Sequence, residues 1–265
     1  MADGLEAGGP AAPSRLRRAL PPLGVFVLAL VGWEMTVRLL GIQFYLLPAP
    51  SEIARALGSN ASLLLRAAWY TAQEALAGFG IGCGLGILVA LVSVRWQAVA
   101  DALLPYSIAA NSVPIIAFAP LAIVWFGVEQ GSKVAIVATM TFFPTMISAI
   151  RGLRSPDPDA LELMRSYGAT PRQVFVKLRI PAALPFIFTA LKVSASLSMI
   201  GAVVGEFFGG FARSLGVYII SETALFHTRE AWAAIAVACA FGIAFYLLIA
   251  GVERLAMPWH VSLRS

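Results

Sequence analysis

The sequence predicts an all-α membrane protein of six transmembrane helices with a polar helix pair between the fourth and fifth. Three observations carry that expectation. Of the 265 residues, 59% are hydrophobic and only 12% are charged, against roughly 25% charged in an ordinary soluble domain. Mean hydropathy is +0.83. Six apolar runs approach or exceed the ~20 residues that cross a bilayer as a helix, and none shows the roughly ten-residue alternation of a barrel strand. Backbone groups in hydrocarbon must be satisfied within the segment, so each run reads as a helix.

Residues 1–20 form a basic tail, rich in Ala, Gly and Pro up to Pro13 and so expected to be disordered, with Arg15, Arg17 and Arg18 ahead of the first run. Residues 21–258 are the membrane domain and 259–265 a second short tail. The first run, Pro22–Leu40, continues past Trp33 without a small-x-small cleavage site, which favours an uncleaved anchor. Within it Glu34 and Arg38, one helical turn apart in acid-first order, neutralise each other. The second run, Thr71–Val94, carries a ridge of Gly78, Gly82 and Gly86 that lets another backbone approach closely. Cys83, there, and Cys239, in the last run, read as small buried hydrophobes and not as a disulfide or metal ligands.

The third run, Ser107–Gly127, contains Asn111, Ser112, Pro114 and Pro120. Prolines remove backbone donors and can break a helix, leaving carbonyls that are tolerated only beside protein or water. Asn111 and Ser112, with Pro114, are therefore candidates for a substrate pathway or gate; the alternative is a kinked helix whose Asn111 bonds a neighbouring helix. The fourth run is Ser132–Ile150. In the fifth, Phe186–Phe208, Lys192 reads as an interfacial anchor or a member of an intra-bundle pair, while Ser196 and Ser198 are either helix–helix hydrogen-bonders or pathway groups. Glu206 lies where the run gives way to Gly209 and Gly210, a flexible place that suits an outer gate. The segment from Arg213 to Glu230 has apolar residues at helical spacing interrupted by Glu222, His227 and Arg229, and should lie at the interface. Ala231–Val252 is the sixth run.

Loop charge sets the orientation. With the N-terminus in the cytoplasm, the inner segments hold Arg15, Arg17, Arg18, Arg95, Arg151, Arg154, Arg165, Arg172, Lys177, Arg179, Arg254 and Arg264. The outer ones hold Arg55, Arg66, Lys133, Arg213 and Arg229. Twelve against five obeys the positive-inside rule. Both termini face the cytoplasm in this reading, and the net charge of +5 is distributed as topology demands, with no aromatic-interleaved patch for nucleic acid.

The loop at residues 151–185 contains ELMRSYGATPRQVFVKLRIP, from Glu162 to Pro181. Asp157 then Pro158 reads as N-cap and first helical position, Asp159 suits the positive end of the helix, and Gly168 can take the left-handed turn that ends it. A first short helix spans about Pro158–Tyr167. Thr170, Pro171 and Gln173 repeat the start signal as a capping box, and a second helix runs toward Arg179 before Pro181 and Pro185. Physics alone leaves two readings open: a docking surface for a soluble partner, or an amphipathic connector whose Arg172, Lys177 and Arg179 meet lipid headgroups.

Glu162, Gly168, Leu178, Ile180 and Pro181 resemble the signature loop of binding-protein-dependent ABC importer permeases, with Leu163 and Met164 standing where two alanines are usual. The resemblance extends from LLPAPSEI at Leu46–Ile53 to GEFFGG at Gly205–Gly210. It is similar to the branch importing nitrate, sulfonates, taurine and the pyrimidine and flavin-type vitamin precursors. NSVPIIAFAPLAIVWFG at Asn111–Gly127 resembles the heterocycle importers most. The resemblance implies a type I importer permease whose loop is a coupling helix, with Glu162, Arg165, Gly168, Ala169 and Pro181 at the contact with a cytoplasmic ATPase. It also implies a homodimer with the pore between copies, two ATPase subunits, a separate extracytoplasmic binding protein, and a place in the bacterial inner membrane.

The chain has no Gly-x-x-x-x-Gly-Lys-Ser/Thr loop; Gly131-Ser132-Lys133 lies in a predicted outer loop, so ATP and Mg are expected in the partner and no cofactor in this chain. No histidine pair or Ser/His/Asp set suggests an enzyme, because His227 and His260 fall on opposite sides of the predicted membrane. Two rival classes remain. A secondary transporter would need charged relays deep in the bundle; a non-transporting scaffold would use the same loop to hold a signalling partner.

Overall fold

The computed structural model describes residues 15–94, 96–210 and 213–258. They form eleven α-helices among those residues: α1 (Arg15–Leu39), α2 (Pro50–Ser59), α3 (Ala61–Ser93), α4 (Gln97–Asn111), α5 (Ile115–Phe126), α6 (Gln130–Leu153), α7 (Pro158–Ser166), α8 (Pro171–Val174), α9 (Ile180–Phe207), α10 (Leu215–Ala224) and α11 (Thr228–Ala256). Four are long and apolar enough to cross a membrane: α3, α6, the continuous rod Pro171–Phe207 and α11. The bent pair α4–α5 makes up to five. The first apolar run lies in α1, a helix of 25 residues that already begins at Arg15, so the basic cluster is part of that helix and not of a separate tail. Residues 1–14 and 259–265, including His260 and Arg264, lie outside the described residues, as does Arg95.

The centre of the bundle is the α3–α6 seam. Gly78, Gly82 and Gly86 all face α6. A Cβ on Gly78 would press on Val137, one on Gly82 on Thr141 Oγ1 and the Ala138 carbonyl, and one on Gly86 would stand 2.8 Å from the Phe142 carbonyl. Partner numbers rise together, so the two helices run parallel with backbones in near contact, which is what the sequence ridge predicts. Gly80 and Gly84 face open space. On the other side of α6, α9 runs antiparallel: Gly205 lies against Lys133 and Ile136, and Gly152 against Ala183 and Phe186.

Side-chain hydrogen bonds in the bundle interior join these three helices. Thr145 Oγ1 lies 3.2 Å from Ser194 Oγ and donates to Cys83 Sγ at 3.3 Å, which accounts for Cys83 as a packed thiol. Cys239, by contrast, is exposed on α11. Large apolar side chains cover the perimeter: Val25, Leu28, Val124, Leu247 and Leu255 are all more than half exposed. Such a surface is untenable in water and ordinary against lipid or a second chain. The α1 helix sits at that perimeter, fixed by an edge-on contact of Trp33 with Trp232 at 5.2 Å and by Glu34, which binds Arg38 at 2.6 Å and the Ser51 amide at 3.0 Å.

One feature realises what the prolines of the third run allow, and one departs from the sequence reading. The third apolar run is not one helix: α4 and α5 meet at 96° across Ser112–Pro114. Pro114 has no amide to continue α4, and it forces its predecessor out of the helical region. The second loop helix also does not end before Pro181. After α8 the backbone widens into a π-helical stretch, Phe175–Arg179, and passes directly into α9. In an α-helix the Pro181 ring would strike the Lys177 carbonyl; the wider turn accommodates it.

Candidate functional site

The helix pair α7–α8 follows its local signals. Asp157 Oδ1 accepts the Asp159 amide at 2.9 Å, and Thr170 and Gln173 form a reciprocal capping box. Gly168 sits at φ +71°, the left-handed conformation a side chain would strain. Glu162, Arg165 and Gly168 are exposed, and Ala169 and Pro181 are half-buried. Beside them Leu163 is 56% and Tyr167 83% exposed. Apolar groups left bare on an otherwise polar helix mark a contact surface. Behind the pair lies a cavity of about 650 Å³, walled by Leu91 of α3 and Val94 just past its end, Leu161 and Arg165 of α7, and Arg172, Phe175 and Arg179. This end of the bundle is tied to the start of α4 by Arg154 and Asp101 at 2.6 Å.

The opposite end carries α2 and α10. Arg229 binds Glu52 with both nitrogens, at 3.1 and 3.2 Å, and stacks over Phe44 at 4.1 Å, joining the start of α11 to α2. His227 is paired with Glu222 at 2.8 Å. A cavity of about 600 Å³ opens between α3 and α10, lined by Arg66, Trp69, Tyr70, Gln73, Arg213 and Tyr218. Burial raises the pKa of the Tyr218 phenol, with the Glu222 and Glu230 carboxylates adding to the effect.

The proposed pathway residues are not brought together in one protomer. Ser112 and Pro114 are exposed at the α4–α5 break, the Ser112 hydroxyl donating to the Ile108 carbonyl at 3.0 Å; Asn111 ends α4, and its side chain is outside the described residues. Ser196 is half-buried on α9, and Ser198 is buried and donates to its own helix at Ala195. Glu206 is 1% exposed and faces the interior, where it accepts from Thr71 Oγ1 at 2.7 Å and from the Gly216 amide at 2.6 Å.

Two buried charges escaped the sequence reading. Glu74 of α3 is 2% exposed beside Glu206. Lys133, taken from sequence as an outer-loop charge, lies in the first turn of α6 at 1% exposure, its ammonium donating to the Val128 and Glu129 carbonyls. An ionisable residue inside an apolar run was the available signal for both. Lys192 has the partner that an intra-bundle pair requires: Glu253 of α11, at 2.7 Å.

A bundle with a broken span, small-residue helix seams and a capped hairpin at one end is the architecture of a polytopic membrane protein. The chain belongs to the family of binding-protein-dependent transport system inner membrane components, whose model matches residues 82–257. The formylaminopyrimidine transport permease protein ThiX of Halalkalibacterium halodurans is 34% identical over 247 residues, 93% of this chain and 98% of that one. The riboflavin transport system permease protein RibX of Chloroflexus aurantiacus is 33% identical over 251 residues, 91% and 92% of the two chains. In three dimensions the chain resembles a crystal structure of an amino acid ABC transporter with a TM-score of 0.61 at 19% identity, covering 75% of this chain and 96% of that one.

Proposed function

We propose that this chain forms the translocation pathway of an ATP-driven importer for a heterocyclic vitamin precursor or pyrimidine-like compound, working as a homodimer with two cytoplasmic ATPase subunits and an extracytoplasmic binding protein. The observation that carries the reading is the α7–α8 hairpin: a capped, solvent-facing surface with bare Leu163 and Tyr167, on a family permease that lacks a nucleotide loop of its own. The relatives named for formylaminopyrimidine and riboflavin support the substrate class, since both match nearly the whole chain. The exposed apolar faces of α4 and α5, including Tyr106, Val124 and Trp125, support a second copy as the other wall of the pathway. In this reading both termini and α7–α8 face the cytoplasm. ATP closes the ATPase dimer, the hairpins move with it, and the spans exchange outward for inward access.

The test is purification of the detergent-solubilised chain, wild type and Glu162→Arg, from its native membrane, with identification of co-purifying proteins. An ATPase retained by the wild type and lost by the variant is the expected result. Retention by both forms with normal uptake would overturn the role of Glu162, and absence of an ATPase from both well-folded forms would favour an ion-driven carrier.

A further inference from the structure

We infer that Glu206 is a positioning residue whose carboxyl group holds α10 against α3 and α9. The first amides of an α-helix have no partner within the helix. In α10 the first two are both received by one polar node built from two spans. The Leu215 amide donates to Thr71 Oγ1 at 3.0 Å, the Gly216 amide donates to Glu206 Oε2 at 2.6 Å, and the Thr71 hydroxyl donates to Glu206 Oε1 at 2.7 Å. Every group in that chain of bonds is buried. Contact is as close as backbone allows: a Cβ at Gly216 would stand 2.6 Å from the Val203 carbonyl and 2.7 Å from Glu206 Cβ.

Glu74 of α3, 2% exposed, lies beside this node. The second Glu74 oxygen, Oε2, is buried with no hydrogen-bond partner, and the nearby Lys133 ammonium is engaged by the Val128 and Glu129 carbonyls. The Glu206 carboxyl group thus faces the amide end of α10, where the first N–H groups have no partner within the helix. A Glu206 committed in this way does not line a pathway; it sets where α10 sits. The functional consequence rests on the proposed importer reading, in which α7–α8 faces the cytoplasm and the opposite end, with α10, faces the extracytoplasmic binding protein.

The experiment places a cysteine at Ile219, on the buried face of α10, in a Cys239→Ala background, and measures maleimide labelling in detergent. A control cysteine at Ile249, buried on α11, reports on the rest of the bundle. With Glu206→Ala, or with Thr71→Val, labelling at 219 should rise roughly tenfold or more through local opening, with position 249 still protected. Transport in proteoliposomes should show a raised KM for the loaded binding protein in Glu206→Ala, with kcat largely kept. Protection at 219 in Glu206→Ala, or equal exposure at 219 and 249, overturns the positioning role. Opening at 219 with an unchanged KM leaves the positioning role standing and removes α10 from the docking face.

Discussion

Lys192 shows how far a single residue can be read. From sequence it is a cation placed to reach an interface or a partner, and the partner is invisible because Glu253 lies 61 positions away on another helix. The structure makes the pair a half-buried bond, with side chains 21% and 8% exposed. Removing one member leaves the other desolvated and alone, at a cost of roughly 1–3 kcal/mol, whereas removing both is cheaper. Lys192→Met should therefore lower the thermal midpoint in detergent more than Lys192→Met combined with Glu253→Gln; a double variant at least as unstable as the single one would deny the pair any such asymmetry. Glu206 was legible as an unusual residue but not in its environment, because Thr71 lies 135 positions away and Gly216 is brought back onto it by the turn into α10. Glu74 passed unnoticed for a simpler reason: an apolar run masks a lone acid unless each ionisable residue in it is questioned.

At the scale of elements, what was local was legible. The Asp157 cap, the Gly168 turn and the Thr170–Gln173 box depend on residues within three or four positions of one another, and all three formed as expected. The glycine ridge on α3 was equally plain, since its spacing alone places Gly78, Gly82 and Gly86 on one face. Its partner helix was not, because a ridge states that something approaches without stating what. The ridge yields a sharp contrast between neighbours. Gly82→Ala puts a methyl into Thr141 and the Ala138 carbonyl, and overpacking of this kind costs roughly 1–3 kcal/mol. Gly80→Ala has open space and gains helix propensity. Thermal unfolding in detergent should show a clear loss for the first and none for the second. The reading that failed at this scale concerned proline: Pro114 did break its helix, but Pro181 did not, because a π turn absorbed the ring.

At the scale of the molecule, composition fixed the class, and the run lengths fixed most of the spans. What it left open was which surfaces of the protomer are lipid-facing and which are shared, since both are apolar. The α4–α5 break and the exposed faces around it make the isolated protomer incomplete as a conduit: Ser112 and Pro114 open to its outside and Glu206 closes to its inside. For the chain expressed without its partners, the homodimer reading predicts a protein mass of twice the 28.1 kDa chain in mild detergent by light scattering corrected for bound micelle. Cysteines introduced at Val124 should cross-link between copies. A monomer with no cross-link, or a stoichiometric second permease of different sequence, would refute it.

The π turn at Phe175–Arg179 has one more consequence, mechanical in kind. Because it carries the chain through Pro181 without a loop, Pro171–Phe207 is an unbroken helical shaft of 37 residues, about 55 Å at 1.5 Å per residue. At one end of the shaft is α8, and at the other is Glu206 with α10 pinned to it. For a straight shaft of that length, a tilt of one degree about its α8 end displaces the far end by about 1 Å. Whatever moves α8 therefore acts, through continuous helix, on the end of α9 that holds α10.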